Sequence, residues 1–439
     1  MNSAFLIAAP MSGSGKTTVS RGLMALLTRR GLRVQPFKCG PDYIDTKFHA
    51  AVCRRPSINL DTFMATAAHV RELFGRYSAD ADVAVVEGMM GLYDGYDRDC
   101  GSSAEIARVL DLPVVLVVDA RSAAYSMAAL LQGFVSFRPG VRVVGVIFNQ
   151  VGSERHARML RQVCADLQLP CFGCLPKSAE LEQASRYLGL DFSQSAEVER
   201  LVQLLEEHVS IDELLGAGAR GHESAGAHVA RFEGHGERKE ARVATPPLHS
   251  RLQGASVVVA RNGEAFSFVY QEVLDGFGAV RFFDPEREVP SLADADLLYL
   301  PGGYPEKHVE ALVCNEACRK VIADFAEGGG RVVAECGGMM YLCRSIVDDR
   351  GRWPMCGVLP YDITACQCDR RLSLGYRRFV MDGREYRGHE FHYTQFVAPL
   401  PPSAVQVYNA RGEAVSTPVL RYKNVLASYT HLYSVMGDG

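Results

Sequence analysis

No apolar run in the 439 residues approaches the roughly 18 uninterrupted residues that a membrane-spanning helix needs. No anchor or membrane partner is expected. A basic excess is also missing: 47 Lys and Arg stand against 51 Asp and Glu, for a formal net charge of −4. That balance leaves no electrostatic footprint for nucleic acid. Regular cysteine spacing is lacking too. The 13 cysteines are an odd number scattered along a long chain, which argues for free thiols in a reducing cytoplasm. Cys171 and Cys174 form a lone CxxC, and Cys366 and Cys368 are close neighbours, but neither has a second pair, so no zinc site is expected. Internal repeats and heptad runs are absent. The start, MNSAFLIAAPMSGSGKTT, is apolar for only seven residues before a glycine-rich loop, so it reads as a first strand rather than a signal peptide.

What remains is a globular composition, 48% hydrophobic and 22% charged, at a length that suits two to three domains. The first 200 residues alternate apolar runs (AFLIAAP, RVQPFKC, DVAVVEG, PVVLVVDA, RVVGVIFN) with amphipathic stretches such as 17–30 and 154–167. Strands separated by helices predict a parallel sheet covered on both faces. From 208 to 253 the chain is rich in Gly, Ala, His and charge and poor in large aliphatics, which predicts a linker. A second alternating pattern follows, with SVVVAR, VRFFD, ADLLYLPGG and GRVVAEC as strands and helices near 266–276 and 309–328; the stretch 374–433 is richer in β-type residues. The expected organisation is an α/β domain at 1–207, a linker at 208–253 and a second α/β domain at 254–439.

PMSGSGKTT (10–18) follows a strand and opens a helix, the context that makes a phosphate-binding loop credible. Backbone N–H groups of Gly13, Ser14, Gly15 and Thr18 can cradle phosphate, Lys16 can neutralise it, and the Thr17 hydroxyl can ligate Mg²⁺. Pro10 departs from the usual pattern, which has glycine there. Two acidic loops, KCGPDYID (38–45) and EGMMGLYDG (87–95), follow the second and third runs and should share this sheet edge. Their carboxylates, Asp42, Asp45, Glu87 and Asp94, are candidates for metal or substrate. Asp42 and Asp94 have an alternative reading as turn formers. Glu87 is harder to read that way, because a charge closing a buried strand needs a partner.

VVAECGGM (332–339) ends a strand in Cys-Gly-Gly and resumes as a helix. A cysteine on such an elbow is a candidate nucleophile, with the helix N-terminus expected to favour its thiolate. The N–H of Gly337 is placed for an oxyanion, and the loop LPGGY (300–304) offers a second donor at Gly303. SYTHLY (428–433) supplies His431 as base; His389 and His392 in RGHEFHY (387–393) are alternatives by chemistry alone.

Taken together, KCGPDYID, VEGMMGLYDG, LPGGYPE, AECGGMMYL, GHEFHY and SYTHLY resemble the cobyrinic acid a,c-diamide synthase family, which includes the hydrogenobyrinate enzymes. The resemblance spans nearly the whole chain apart from the linker. It implies a dethiobiotin-synthetase-like P-loop ligase domain and a class I glutamine amidotransferase domain. It also implies a reaction in which Cys336, activated by His431, releases ammonia from glutamine. ATP with Mg²⁺ activates a carboxylate of a tetrapyrrole (corrinoid) substrate, which the ammonia converts to an amide. By the same motifs Asp42 and Asp94 serve substrate or intermediate, Thr17, Asp45 and Glu87 serve Mg²⁺, and Asn149 contacts adenine. A homodimer is the candidate assembly. Many class I glutaminases carry Glu two residues after the histidine; here that residue is Tyr433, with Glu390 a conceivable substitute. Nickel-sirohydrochlorin a,c-diamide synthase and cobyric acid synthase are alternative activities. A partition-type ATPase with a dead glutaminase is disfavoured by the intact Cys336 and His431.

Overall fold

Alternate residues of the first apolar run face opposite ways. In strand β1 (Ser3–Ala8), Ala4, Leu6 and Ala8 pack with Phe37, Val86 and Leu160, while Phe5 and Ile7 pack with Leu23, Leu27 and Val85 on the other face. Burying each such side chain contributes roughly 1.5–3 kcal/mol, and a strand apolar on both faces must be covered on both. The structure, a computed structural model, describes residues 3–177, 195–225 and 255–433. It divides the chain into two units, Met1–Arg238 and Lys239–Gly439.

In the first unit β1 joins β2 (Val34–Cys39), β3 (Ile58–Leu60), β4 (Val83–Glu87), β5 (Pro113–Asp119), β6 (Arg142–Val151) and β7 (Cys171–Pro176). Their order is β3-β2-β4-β1-β5-β6-β7, parallel throughout. The chain leaves β1 toward one edge, returns at β4 and crosses to the other side at β5. The loops after β1, β2 and β4 therefore meet at one sheet edge, where α/β sheets bind ligands. Helix α1 (Lys16–Arg29) starts from Gly15 in the left-handed region, φ +92°, and buries Val19, Leu23, Leu26 and Leu27 against the sheet. Helix α2 (Asp45–Cys53) follows β2.

The expectation of a linker from 208 needs correction. A helix spans Ile211–Ala225, and Ile211, Leu214 and Ala217 lie in the same core as Phe5. Their spacing of three gives an apolar stripe that the Gly-rich composition disguises. Gly218 allows close approach, since a Cβ there would lie 2.1 Å from Ser3 Oγ, and that hydroxyl donates to the Leu215 carbonyl at 3.0 Å. The rest of the expected linker, 226–253, lies outside the described residues.

The second unit builds a six-stranded sheet from β8 (Ser256–Ala260), β9 (Ala279–Phe283), β10 (Leu297–Leu300), β11 (Val332–Glu335) and the strands Val419–Tyr422 and Val425–Ser428. The order runs Val419–Tyr422, Val425–Ser428, β11, β10, β8, β9, and only the first pair is antiparallel. An antiparallel hairpin, Ser373–Met381 with Arg384–His392, anchors a separate sheet. Its edge is the short strand His431–Leu432, opposite Gly388 and His389. The chain thus passes from the six-stranded sheet at Ser428 to this second sheet at His431. Among the described residues no helix is long and apolar enough to cross a membrane.

Candidate active sites

At the edge of the first sheet Glu87 ends β4 fully buried and is the hub of a charge cluster. Its Oε1 accepts from Lys16 Nζ at 3.2 Å, Thr17 Oγ1 at 2.7 Å and Lys38 Nζ at 2.9 Å; Oε2 meets His49 Nε2 at 2.7 Å. Lys16 also donates to the Gly88 carbonyl at 2.5 Å. Lys38, next to last in β2, pairs in addition with Asp45 and lies 3.9 Å from Asp42. Burial opposes the charge on Lys38, but Glu87, Asp45 and Asp42 more than offset it and hold the ammonium well above its ordinary range. Burial likewise works against Glu87, yet Lys38, Lys16 and His49 keep it well below the usual carboxylate range. For Asp45, burial and then the Glu87 charge win over Lys38, pushing its pKa to about 6. Burial and the neighbouring Lys38 lower the pKa of Lys16.

The phosphate loop itself is formed. Gly13 and Gly15 take φ of +83° and +92°, the left-handed conformation that favours glycine. A Cβ on Gly15 would lie 2.1 Å from Asn149 Nδ2. Asn149 packs against the phosphate loop. Its Nδ2 donates to the Ser14 carbonyl at 3.1 Å and its Oδ1 accepts from Gln150 N–H at 2.9 Å, so it braces the loop. Asp42 and Asp94 sit at this edge and each makes turn contacts through one carboxylate oxygen. Asp42 Oδ1 accepts from the N–H groups of Ile44 and Asp45, both at 2.8 Å, at the start of α2. Asp94 Oδ2 accepts from Gly91 N–H at 2.9 Å, and Leu92 N–H donates to the Ala9 carbonyl at 2.8 Å, fastening the loop after β4 to the start of the phosphate loop.

Among the described residues no group of three or more His, Cys, Asp or Glu forms a protein-only metal cage. Oxygen donors from Thr17, Asp45 and Glu87 do converge here. That set suits Mg²⁺, which keeps waters and phosphate oxygens and takes only one or two carboxylates.

In the second unit Cys336 has φ +45° and ψ −107° between β11 and a helix at Gly337–Leu342. A non-glycine residue there stores about 1–3 kcal/mol of strain, a frequent mark of functional elbows. Its N–H donates to the Ser428 carbonyl at 2.7 Å, tying it to the strand that leads to His431. The 300–305 loop lies against the elbow: a Cβ on Gly338 would sit 2.0 Å from the Leu300 carbonyl oxygen, and one on Gly337 2.8 Å from that of Gly303. On the same loop, a Cβ on Gly302 would come 2.1 Å from His431 Cε1. One glycine loop thus touches both the helix that follows Cys336 and the imidazole, bringing Cys336, Gly303, Gly337 and His431 to one place. The Phe268 backbone hydrogen-bonds the imidazole.

The expected thiolate is not the resting state. Burial, with the Glu306 charge second, pushes the Cys336 thiol well up, and the hydrogen bond from Gly337 N–H only partly opposes this. Desolvation prevails because the cysteine is 3% exposed and the helix behind it has only six residues. Burial, with the neighbouring His389 and His392, pulls His431 down to about 3. Both partners therefore rest neutral. The Glu390 charge raises His431 against that burial, while its oxygens accept from Ser373 Oγ (2.7 Å), Arg377 Nε (2.5 Å), His392 Nε2 (2.7 Å) and Thr417 Oγ1 (2.7 Å).

Sequence reasoning gave no role to Lys38 or His49. The signal for Lys38 was close to the one used for Glu87, a charge near the end of a buried strand. His49 had no signal beyond lying four residues after Asp45 on α2.

Residues 5–188 match the CobQ/CobB/MinD/ParA nucleotide binding domain, and residues 258–436 match the CobB/CobQ-like glutamine amidotransferase domain. The molecule is thus an amidotransferase of the ligase class, with a nucleotide-binding and a glutamine amidotransferase domain in one chain. It is 39% identical over 452 residues to the hydrogenobyrinate a,c-diamide synthase of Brucella suis biovar 1 (strain 1330), covering 99% of both chains. It is 36% identical over 448 residues to the cobyrinate a,c-diamide synthase of Caldanaerobacter subterraneus subsp. tengcongensis, covering 98% of this chain and 94% of that one. The chain belongs to the a,c-diamide synthase family.

Proposed function

We propose that this enzyme amidates the a and c carboxylates of cobyrinate or hydrogenobyrinate in cobalamin biosynthesis, taking nitrogen from glutamine and driving force from ATP. The observation that carries the reading is the pair of sites in one chain: Lys16, Thr17 and Glu87 on a phosphate loop, and a strained Cys336 sharing a glycine loop with His431. The relatives' names favour this activity over the nickel-sirohydrochlorin and cobyric acid synthase alternatives.

In the glutaminase unit the Cys336 sulfur attacks the side-chain amide carbon of glutamine while His431 takes the thiol proton. Because both groups rest neutral, proton transfer accompanies attack rather than preceding it. Gly337 N–H, released from the thiol, and the backbone at Gly303 hold the developing oxyanion. The C–N bond then breaks, His431 returns the proton to the leaving nitrogen, and ammonia departs from a γ-glutamyl thioester that water hydrolyses.

In the N-terminal unit ATP supplies the phosphoryl group that turns a carboxylate into an acyl phosphate, leaving ADP; ammonia then attacks the acyl carbon, the C–O bond breaks, and the amide forms as inorganic phosphate departs. Lys16 exchanges Glu87 and the Gly88 carbonyl for phosphate oxygens. Thr17, Glu87 and Asp45 would hold Mg²⁺, lowering phosphate repulsion. Lys38 keeps this acidic pocket ionised, and Asp42, Asp94 and Asn149 hold the three loops in register. Cys336→Ala should abolish glutamine-driven amidation yet leave ammonium-driven amidation, whereas Lys16→Ala should abolish both. Glutamine-driven synthesis by Cys336→Ala would exclude Cys336 as nucleophile.

A further inference from the structure

Glu335 closes β11 directly before Cys336 and is 2% exposed, yet the reaction above gives it no part. Its two oxygens join two different segments. Oε2 accepts from Tyr299 Oη at 2.9 Å, on the strand that leads into the 300–305 loop. Oε1 accepts from the Leu432 N–H at 3.1 Å, and Leu432 directly follows His431. One buried carboxyl, adjacent to the nucleophile, therefore grips both the strand feeding the oxyanion loop and the short strand carrying the imidazole.

The backbone alone provides a looser tie. Glu335 is in register with Ser428, but the strand ends there, and Tyr429 and Thr430 bridge to the other sheet before His431. The Leu432 N–H bond is a direct side-chain link across that gap. We propose that Glu335 is a positioning residue of the glutaminase, fixing the distance between His431 and Cys336 by holding Leu432 and Tyr299. This rests on the glutaminase reading given above.

The chemistry suits the task. Burial pushes the Glu335 carboxyl to about 8, against the hydrogen bonds from Tyr299 and Leu432. It is therefore largely neutral at pH 7, and no cation is needed beside it. A neutral acid has one carbonyl oxygen and one hydroxyl; glutamine keeps a carbonyl for the Leu432 N–H and places an NH2 from which the Tyr299 hydroxyl can accept, whereas an apolar group of similar size supports neither bond.

The test compares Glu335→Gln and Glu335→Leu, assayed for glutamine hydrolysis at saturating and limiting glutamine. Ammonium-driven amidation and circular dichroism report on the fold. Glu335→Leu should lose about 10²-fold in kcat, the scale of a misplaced catalytic group, with KM for glutamine little changed and ammonium-driven amidation retained. Glu335→Gln should recover most of the lost kcat. Unchanged hydrolysis by Glu335→Leu, or equal impairment of both variants, overturns the assignment. If the unmodified chain hydrolyses no glutamine, the glutaminase reading fails and this inference with it.

Discussion

Replacing Lys38 with Met would take away the cation that balances the acidic pocket of the N-terminal unit. Lys38 Nζ lies 2.9 Å from Glu87 Oε1, contacts Asp45 and is 3.9 Å from Asp42, with its side chain 3% exposed. Methionine matches the length but supplies no charge, leaving Glu87 with Lys16 and His49 and Asp45 with the weaker influence of Lys16, His49 and Arg21. Breaking a buried pair from one side costs about 3–5 kcal/mol. At about 2–4 °C per kcal/mol for a unit of this size, Tm should fall by roughly 6–20 °C at pH 7.5.

The pH dependence follows from the signs. Lys38 is raised above its ordinary 10.5, so its contribution is complete at neutral pH and fades only as pH rises through the folded value. Glu87 is depressed below 4.5, so it stabilises above that pH and is lost on acidification. Asp45, raised to about 6, works the other way: its ionised form costs stability above about 6, and the cost is relieved as pH falls toward 3.8. Without Lys38 both carboxyls become easier to protonate, so the deficit of the variant should shrink between pH 7.5 and 5. Calorimetry of the N-terminal transition across that range measures it. An unchanged Tm at pH 7.5, or a deficit that grows on acidification, would refute the reasoning.

Two further outcomes concern the glutaminase unit. Gly302→Ala puts a Cβ where 2.1 Å separates it from His431 Cε1, so the imidazole must shift; glutamine hydrolysis should drop by about 10²-fold, read by glutamate release, while ammonium-driven amidation persists. Glu390 is held at about 2 against its burial by His392, Arg377 and Thr417, so its ionised form stabilises above pH 4.5 and that contribution fades as pH falls toward 2. Glu390→Gln should therefore lower Tm of this unit at pH 7, by an amount that narrows below pH 4.5.

Much of this was legible because the chemistry sits on local motifs. GSGKTT after an apolar strand identifies a phosphate loop, and ECGG between a strand and a helix identifies an elbow, before any tertiary contact is known. Residues whose meaning depends on partners distant in sequence were harder. Asp42 and Asp94 look the same in sequence whether or not they close a turn, and only the bonds to Ile44, Asp45 and Gly91 show that they do. The thiolate expectation weighed a helix terminus without knowing how deeply Cys336 is buried. The helix Ile211–Ala225 was hidden because glycine, there to let it approach β1, carries the composition of a linker.

The most direct measurement supplies the purified enzyme with cobyrinate or hydrogenobyrinate, ATP, Mg²⁺ and glutamine labelled with ¹⁵N in its side-chain amide, and weighs the product. The account predicts a diamide carrying two labelled nitrogens, formed only when ATP is present. An unaltered macrocycle, or amides without the label, would contradict it.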